Sequence, residues 1–270
     1  VRAVELGGTL TYDQQGNVRL WYSDVDFPPL HYHVVPGVPR LSWQPLDHLI
    51  SPSTAPQFSL APAEYFGHRS VPIGFDYDPN ILYIASNLGR DTFGVYAIDT
   101  RTGKRTSLVL EHTAFDLINP LATYREARPA TREGVLVFDR SQRKLAGVRY
   151  LGLKAGTMWL DEEITRVQAR IEVLAPRHSV QIEHWDDARE RFLVQLFNRT
   201  DPVAYGLYSR SDDQLRRYIS RAPTDTVLTH VRTTPWALTR EGGGTLTGYL
   251  TLPSARKSKL VPIVARYRLD

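Results

Sequence analysis

Cysteine is absent from the 270 residues and methionine occurs once. Without a thiol the chain forms no disulfide, offers no thiolate metal ligand and has no cysteine nucleophile. That absence fits the cytoplasm and the periplasm equally, so the compartment stays open. No apolar run approaches the roughly eighteen residues that a membrane-spanning helix needs, and the sequence reads as soluble, with no membrane partner. Charge of one sign is not concentrated either: 33 basic and 29 acidic residues leave a formal net charge of +4. The signs are interspersed, so no basic arm or stripe offers a nucleic-acid surface. The pI near 9.3 reflects that small excess and the missing thiols. An initiating Met is lacking, and residues 1–8 lack the basic, apolar, small-residue order of a signal peptide. The start reads as cut from something longer, and a processed mature terminus would look the same.

What is present is strand grammar. Hydrophobic residues make up 42% and charged residues 23%, an ordinary globular balance, and the length suffices for a sizeable core. Short runs rich in Val, Ile, Leu, Tyr, Phe and Trp recur, each closed by Gly, Asp, Asn or Pro. The clearest set predicts strands over 72–76, 81–86, 93–99 and 104–110, with turns at 77–80, 87–92 and 100–103. Four antiparallel strands in about forty residues make one propeller blade.

The same grammar predicts a second blade from strands over 179–185, 191–198, 203–209 and 214–219. A less regular blade is expected from 117–124, 134–139 and 144–150, and a diverged one from 9–12, 17–22, 32–35 and 40–45. Residues 51–62, interrupted by Pro52, Pro56 and Pro62, read as an extended loop. One helix is expected over 161–174, where Ile164, Val167, Ile171 and Leu174 form an apolar stripe opposite Arg166 and Arg170. The fold class expected is therefore all-β: an incomplete β-propeller of about four antiparallel blades with one short helix.

Two stretches carry a family resemblance. The first is IGFDYDPNILYIASNLGRDTFGVYAIDTRTGKRTSL, residues 73–108, whose turn chemistry is common to many propellers and supports the fold alone. The second is WALTREGGGTLTGYLTLP, residues 236–253, followed by the apolar run LVPIVA, residues 260–265. Together they resemble the end of the propeller in the prolyl-oligopeptidase family of serine peptidases, of the dipeptidyl aminopeptidase and acylaminoacyl-peptidase kind. In that family a strand leaves the last blade through a Ser/Thr-Arg-Asp-Gly turn, continues as Gly-Tyr-Leu-x-x-Pro and enters an α/β-hydrolase sheet. Thr239, Arg240, Gly242, Gly248, Tyr249, Leu250, Leu252, Pro253, Leu260, Pro262, Ile263 and Val264 match that run. Glu241 stands where Asp is usual, and Gly243 and Gly244 lengthen the turn. The resemblance implies propeller blades over residues 1–235 and a crossing segment over 236–270. It also implies a hydrolase domain, whose His-Gly-Gly-Pro type loop is not found after Val264, where ARYRLD follows.

The sequence offers no catalytic, cofactor-binding or metal-binding residue that survives its own chemistry. A hydrolase serine needs a Gly-x-Ser-x-Gly elbow between strand and helix, and none occurs. His31 and His33, with Asp24 and Asp26 nearby, share a strand face that could hold a metal, but they lack a third ligand at useful spacing. His178 and His184, with Glu183 between, need folding to bring them together. Asp161, Glu162 and Glu163 could serve acid–base chemistry, and they equally suit a helix N-terminus, where carboxylates meet the dipole and free N–H groups. The Gly242–Gly244 run neither follows a strand with phosphate-loop spacing nor opens a helix, so it reads as a hairpin turn. Trp21, Trp43, Trp159, Trp185 and Trp236 fall one to a structural unit, which suits blade packing better than base stacking.

Three functions remain in view. A non-catalytic propeller portion of a serine peptidase would gate peptide access to a hydrolase domain, with no chemistry on this chain. A stand-alone propeller would bind or scaffold a protein or peptide partner. A channel glycosidase or lyase would need facing carboxylates from different blades. Four units are fewer than the roughly seven or eight blades of the family's rings, leaving a ring lacking blades or one completed by a second copy.

Overall fold

The computed structural model describes residues 9–22, 31–34, 43–46, 70–113, 115–117, 135–151, 155–197, 204–220, 231–239, 245–253 and 264–267. It divides into two compact units, one of Val1–Leu151 with Met158–Leu160 and the other of Gly152–Thr157 with Asp161–Asp270. Among the described residues no helix is long and apolar enough to cross a membrane.

In the first unit, β1 (Thr9–Tyr12), β2 (Val18–Tyr22), β3 (His31–Val34) and β4 (Trp43–Pro45) form an antiparallel meander in chain order. A second meander follows from β5 (Ser70–Phe75), β6 (Ile81–Ser86), β7 (Gly94–Asp99) and β8 (Lys104–Leu110). Every residue of β6 after the first is buried. Side chains of a strand alternate in direction, so continuous burial means that both faces are covered. Leu82 and Ile84 point into a cluster with Leu20, Leu46, Phe75 and Ile98. Tyr83 and Ala85 point the other way, into a cluster with Phe93, Val95, Ala97, Leu117, Leu145 and Val148. The sheet thus packs between β2 on one side and β10 on the other, as stacked propeller blades do.

The third sheet corrects the expected one. It contains β9 (Leu136–Asp139), β10 (Lys144–Leu151) and β11 (Ala155–Trp159), in the order β11-β10-β9. A strand at 155–159 was not expected, because AGTMW has no alternation and little β-branching. Of the expected strand at 117–124 only Leu117 is described. It is a buried bend whose N–H donates to Phe93 O at 3.1 Å.

The second unit contains α1 (Glu162–Leu174). Asp161 caps it, its carboxylate accepting the N–H groups of Glu163 and Ile164 at 3.0 and 3.3 Å. Ile164, Val167 and Ile171 are buried, and the helix packs against β12 and β15. The sheet of β12 (Ser179–Trp185), β13 (Arg191–Phe197), β14 (Ala204–Ser209) and β15 (Gln214–Ser220) is again a meander in chain order. Here burial alternates: Phe192, Val194 and Leu196 are buried, whereas Arg191, Leu193 and Gln195 are not.

The last sheet contains β16 (Val231–Thr239), β17 (Thr245–Pro253) and β18 (Val264–Tyr267), with β17 in the middle. β16 and β17 pair from Val231↔Pro253 to Thr239↔Thr245, and β18 pairs with Gly248 to Thr251 of β17.

Aspartates close most of the tight turns. Asp13 Oδ1 accepts from the backbone of Gln15 and Asn17 at 3.0 and 2.8 Å. Asp99 Oδ1 accepts from Arg101 N at 2.9 Å, Asp139 Oδ1 from Gln142 N at 2.9 Å and Asp186 Oδ1 from Glu190 N at 2.7 Å. A short carboxylate satisfies turn N–H groups that no strand partner reaches, which is why Asp recurs at these corners. The fold class is all-β, as expected: the described residues form antiparallel, blade-like sheets, with one helix among them.

Candidate functional site

The acidic trio at the start of α1 gathers several hydrogen bonds and ion pairs through Asp161 and Glu163. Asp161 is spent on the cap and on Arg189, whose Nη2 lies 2.9 Å from its Oδ2. Glu163 is held from both sides, Oε2 by Arg189 Nη1 at 2.7 Å and Oε1 by Arg210 Nη1 at 2.6 Å. Hydrogen bonds from Arg189 and Arg210 hold the Glu163 carboxyl below its ordinary range. A carboxylate stabilised in this way is a poor proton acceptor, so the trio is suited to fixing the helix rather than to acid–base chemistry. Glu162 is exposed in the first turn, where the helix dipole favours negative charge.

A second charged contact ties the same helix further along. Arg170 donates Nε to Asp213 Oδ1 at 2.8 Å and Nη2 to Asp213 Oδ2 at 2.5 Å, a bidentate pair. The Tyr208 hydroxyl donates to Asp213 Oδ1 at 3.1 Å. Arg170 holds the Asp213 carboxyl below its usual range, while burial raises the Tyr208 phenol. Gln168 Nε2 donates to Val180 O on β12 at 3.0 Å.

The other candidates do not converge. His33 is buried on β3 opposite Leu20, and His31 lies two residues away opposite Tyr22; Asp24, Asp26 and Gly242–Gly244 lie outside the described residues. His178 and His184 flank the length of β12, about 20 Å apart along an extended strand, and Glu183 accepts from Gln181 Nε2 at 2.9 Å. No group of three or more His, Cys, Asp or Glu positioned for a metal occurs among the described residues. The Ser70 hydroxyl donates to Ser86 Oγ at 2.8 Å in the interior, and that of Ser141 donates to Asp139 Oδ1 at 2.7 Å.

The tryptophans divide. Trp21 is buried, and Trp185 packs 6.3 Å from the Phe192 ring. Trp43 and Trp236 are each 39% exposed, against the expectation that all would be core residues. Trp43 sits on a strand exposed throughout, and Trp236 stands opposite Gly248, which has no side chain to cover it. The role missed in the sequence is that of Arg189 and Arg210, which lie 26 and 47 residues from Glu163. The only local hint was the pair of turns that contain them.

Antiparallel meander sheets following one another along the chain define an all-β, propeller-like class of protein. No protein-family model matches the chain. Over 183 residues, 67% of the chain, it is 30% identical to dipeptidyl aminopeptidase BIII of Pseudoxanthomonas mexicana, and it spans 24% of that relative. Among solved structures, puromycin hydrolase aligns over 92% of this chain and 34% of its own, with 12% identity and a TM-score of 0.48. Prolyl oligopeptidase B from Galerina marginata aligns over 90% of this chain and 30% of its own, with 9% identity and a TM-score of 0.43. The chain is a relative, over part of their length, of the prolyl-oligopeptidase-family serine peptidases.

Proposed function

We propose that this chain is the non-catalytic propeller portion of a prolyl-oligopeptidase-family serine peptidase. Residues 1–235 supply blades that admit peptides by size, and residues 236–270 cross toward a hydrolase domain that carries the chemistry. The observation that supports this reading is the 30% identity to a dipeptidyl aminopeptidase of which the chain spans 24%. Exclusion by the blades would be steric, so the peptide substrates would be selected by size before any catalytic residue met them.

The test uses an antibody against this chain on its native source, followed by labelling with a fluorophosphonate probe for activated serines. A band heavier than 30.7 kDa by on the order of 200 residues or more, and labelled by the probe, is the expected result. An unlabelled band at the mass of the chain would overturn it and favour a stand-alone binding module. One observation favours that second reading: β18 pairs with β17, so the last segment completes a three-stranded sheet of its own.

A further inference from the structure

Among the described residues, three other than glycine adopt the left-handed backbone region, all near hairpin turns: Arg143 at φ 50°, Arg189 at φ 54° and Asp213 at φ 51°. In the turns that begin at Asp13 and Asp99, glycines occupy that region, Gly16 at φ 84° and Gly103 at φ 69°. An L side chain is strained there and glycine is not, so each exception needs a compensating contact. Arg189 and Asp213 share one, since both side chains reach α1. Arg189 pairs with Asp161 and Glu163 at the helix N-terminus, and Asp213 pairs with Arg170, about two turns along. Arg143 makes no tie of this kind: its guanidinium lies 5.1 Å from the centre of the Tyr77 ring.

We propose that Arg189 and Asp213 are positioning residues that form a two-point clamp, setting the register of α1 on the β12–β15 sheet. The apolar stripe of Ile164, Val167 and Ile171 holds the helix down, but apolar packing is tolerant of sliding and repacking. Charge-assisted pairs carry the directionality that the stripe lacks. The other polar groups facing the clamp reinforce it: Arg210 donates to Glu163 and to Arg189 O at 3.1 Å, and Tyr208 donates to Asp213. Glycine, the comfortable residue at both corners, would abolish both ties. This inference concerns the helix alone and stands apart from the peptidase reading.

The experiment compares Arg189→Gly, Asp213→Gly and Arg143→Gly in the full chain by hydrogen exchange of the α1 amides and by urea midpoint. Glycine at 189 or 213 is expected to speed α1 exchange about tenfold or more, with smaller changes in β13. Glycine at 143 is expected to leave α1 exchange within about twofold and to hold or raise the midpoint. The clamp is wrong if glycine at 189 and 213 behaves as it does at 143. Should the glycine variants not fold, Arg170→Gln breaks the exposed pair from the helix side. It is expected to reduce the acceleration of α1 exchange between about 0.1 and 1 M salt; an undiminished acceleration overturns the proposal.

Discussion

The β5–β8 and β12–β15 sheets share one meander topology and are held by different means. In β5–β8 the apolar residues of β6 point both ways into separate clusters, so burial on both faces is the main hold on the sheet. In β12–β15 only one face of β13 is buried, and the helix beside the sheet is oriented by ion pairs at turn residues. A blade covered on both faces takes its position from apolar burial, its ion pairs Arg90–Glu111 and Arg101–Asp99 lying outside both clusters, whereas a one-sided sheet with a helix needs directionality that apolar contact does not supply.

The largest test of this contrast is to truncate neighbouring positions on each sheet. Leu82→Ala is expected to cost about 2–5 kcal/mol and Tyr83→Ala about 3–5 kcal/mol, although the two point in opposite directions. On β13, Phe192→Ala is expected to cost about 3–5 kcal/mol and its neighbour Leu193→Ala less than about 1 kcal/mol. Urea midpoints measure all four, and a Leu193 cost equal to that of Phe192 would erase the distinction.

Next in size is Asp161→Ala, which removes the α1 cap and leaves the buried Arg189 with one carboxylate fewer. A loss of about 2–4 kcal/mol is expected, from the cap and the weakened ion pair together, read by thermal or urea unfolding. Asp186→Ala removes turn hydrogen bonds and an exposed ion pair with Arg191 and should cost about 1 kcal/mol; a cost as large as that of Asp161 would mean that the corners, not the helix, dominate this unit.

The smallest effect is in pH. Hydrogen bonds from arginines depress the folded-state carboxyls of Glu163 and Asp213, and Asp99 falls to about 2 through its contact with the Arg101 side chain. A depressed carboxyl contributes stability that is present above its unfolded value, near 4, and is lost as the pH falls through the folded value. Acidification below about pH 4 should therefore release α1 amides to exchange before those of β6. Glu163→Gln should flatten that dependence, and simultaneous release of both regions would contradict it.

Much of this was legible in the residues. The runs at 81–86, 104–110 and 179–185 coincide with β6, β8 and β12, because β-branched and aromatic residues bounded by Asp, Asn and Gly encode strand and corner within a few positions. The helix was visible through its apolar spacing and the carboxylates before it. β11 was hidden because Ala155–Trp159 lacks alternation and opens with Ala and Gly, which disfavour strands, leaving only Thr157 and Trp159 as strand formers. The fate of the acidic trio was only half visible: the cap is local, but the arginines that neutralise Glu163 come from turns far along the chain.

That division has a physical basis. Strand, turn and cap depend on side chains within about four residues of one another, and their chemistry is written in the order of the chain. Which face of a strand is covered, which arginine meets which carboxylate and which tryptophan stays in solvent depend on pairs far apart in sequence. Those were decided only when the sheets stacked, since burial and ion pairing are properties of neighbours in space.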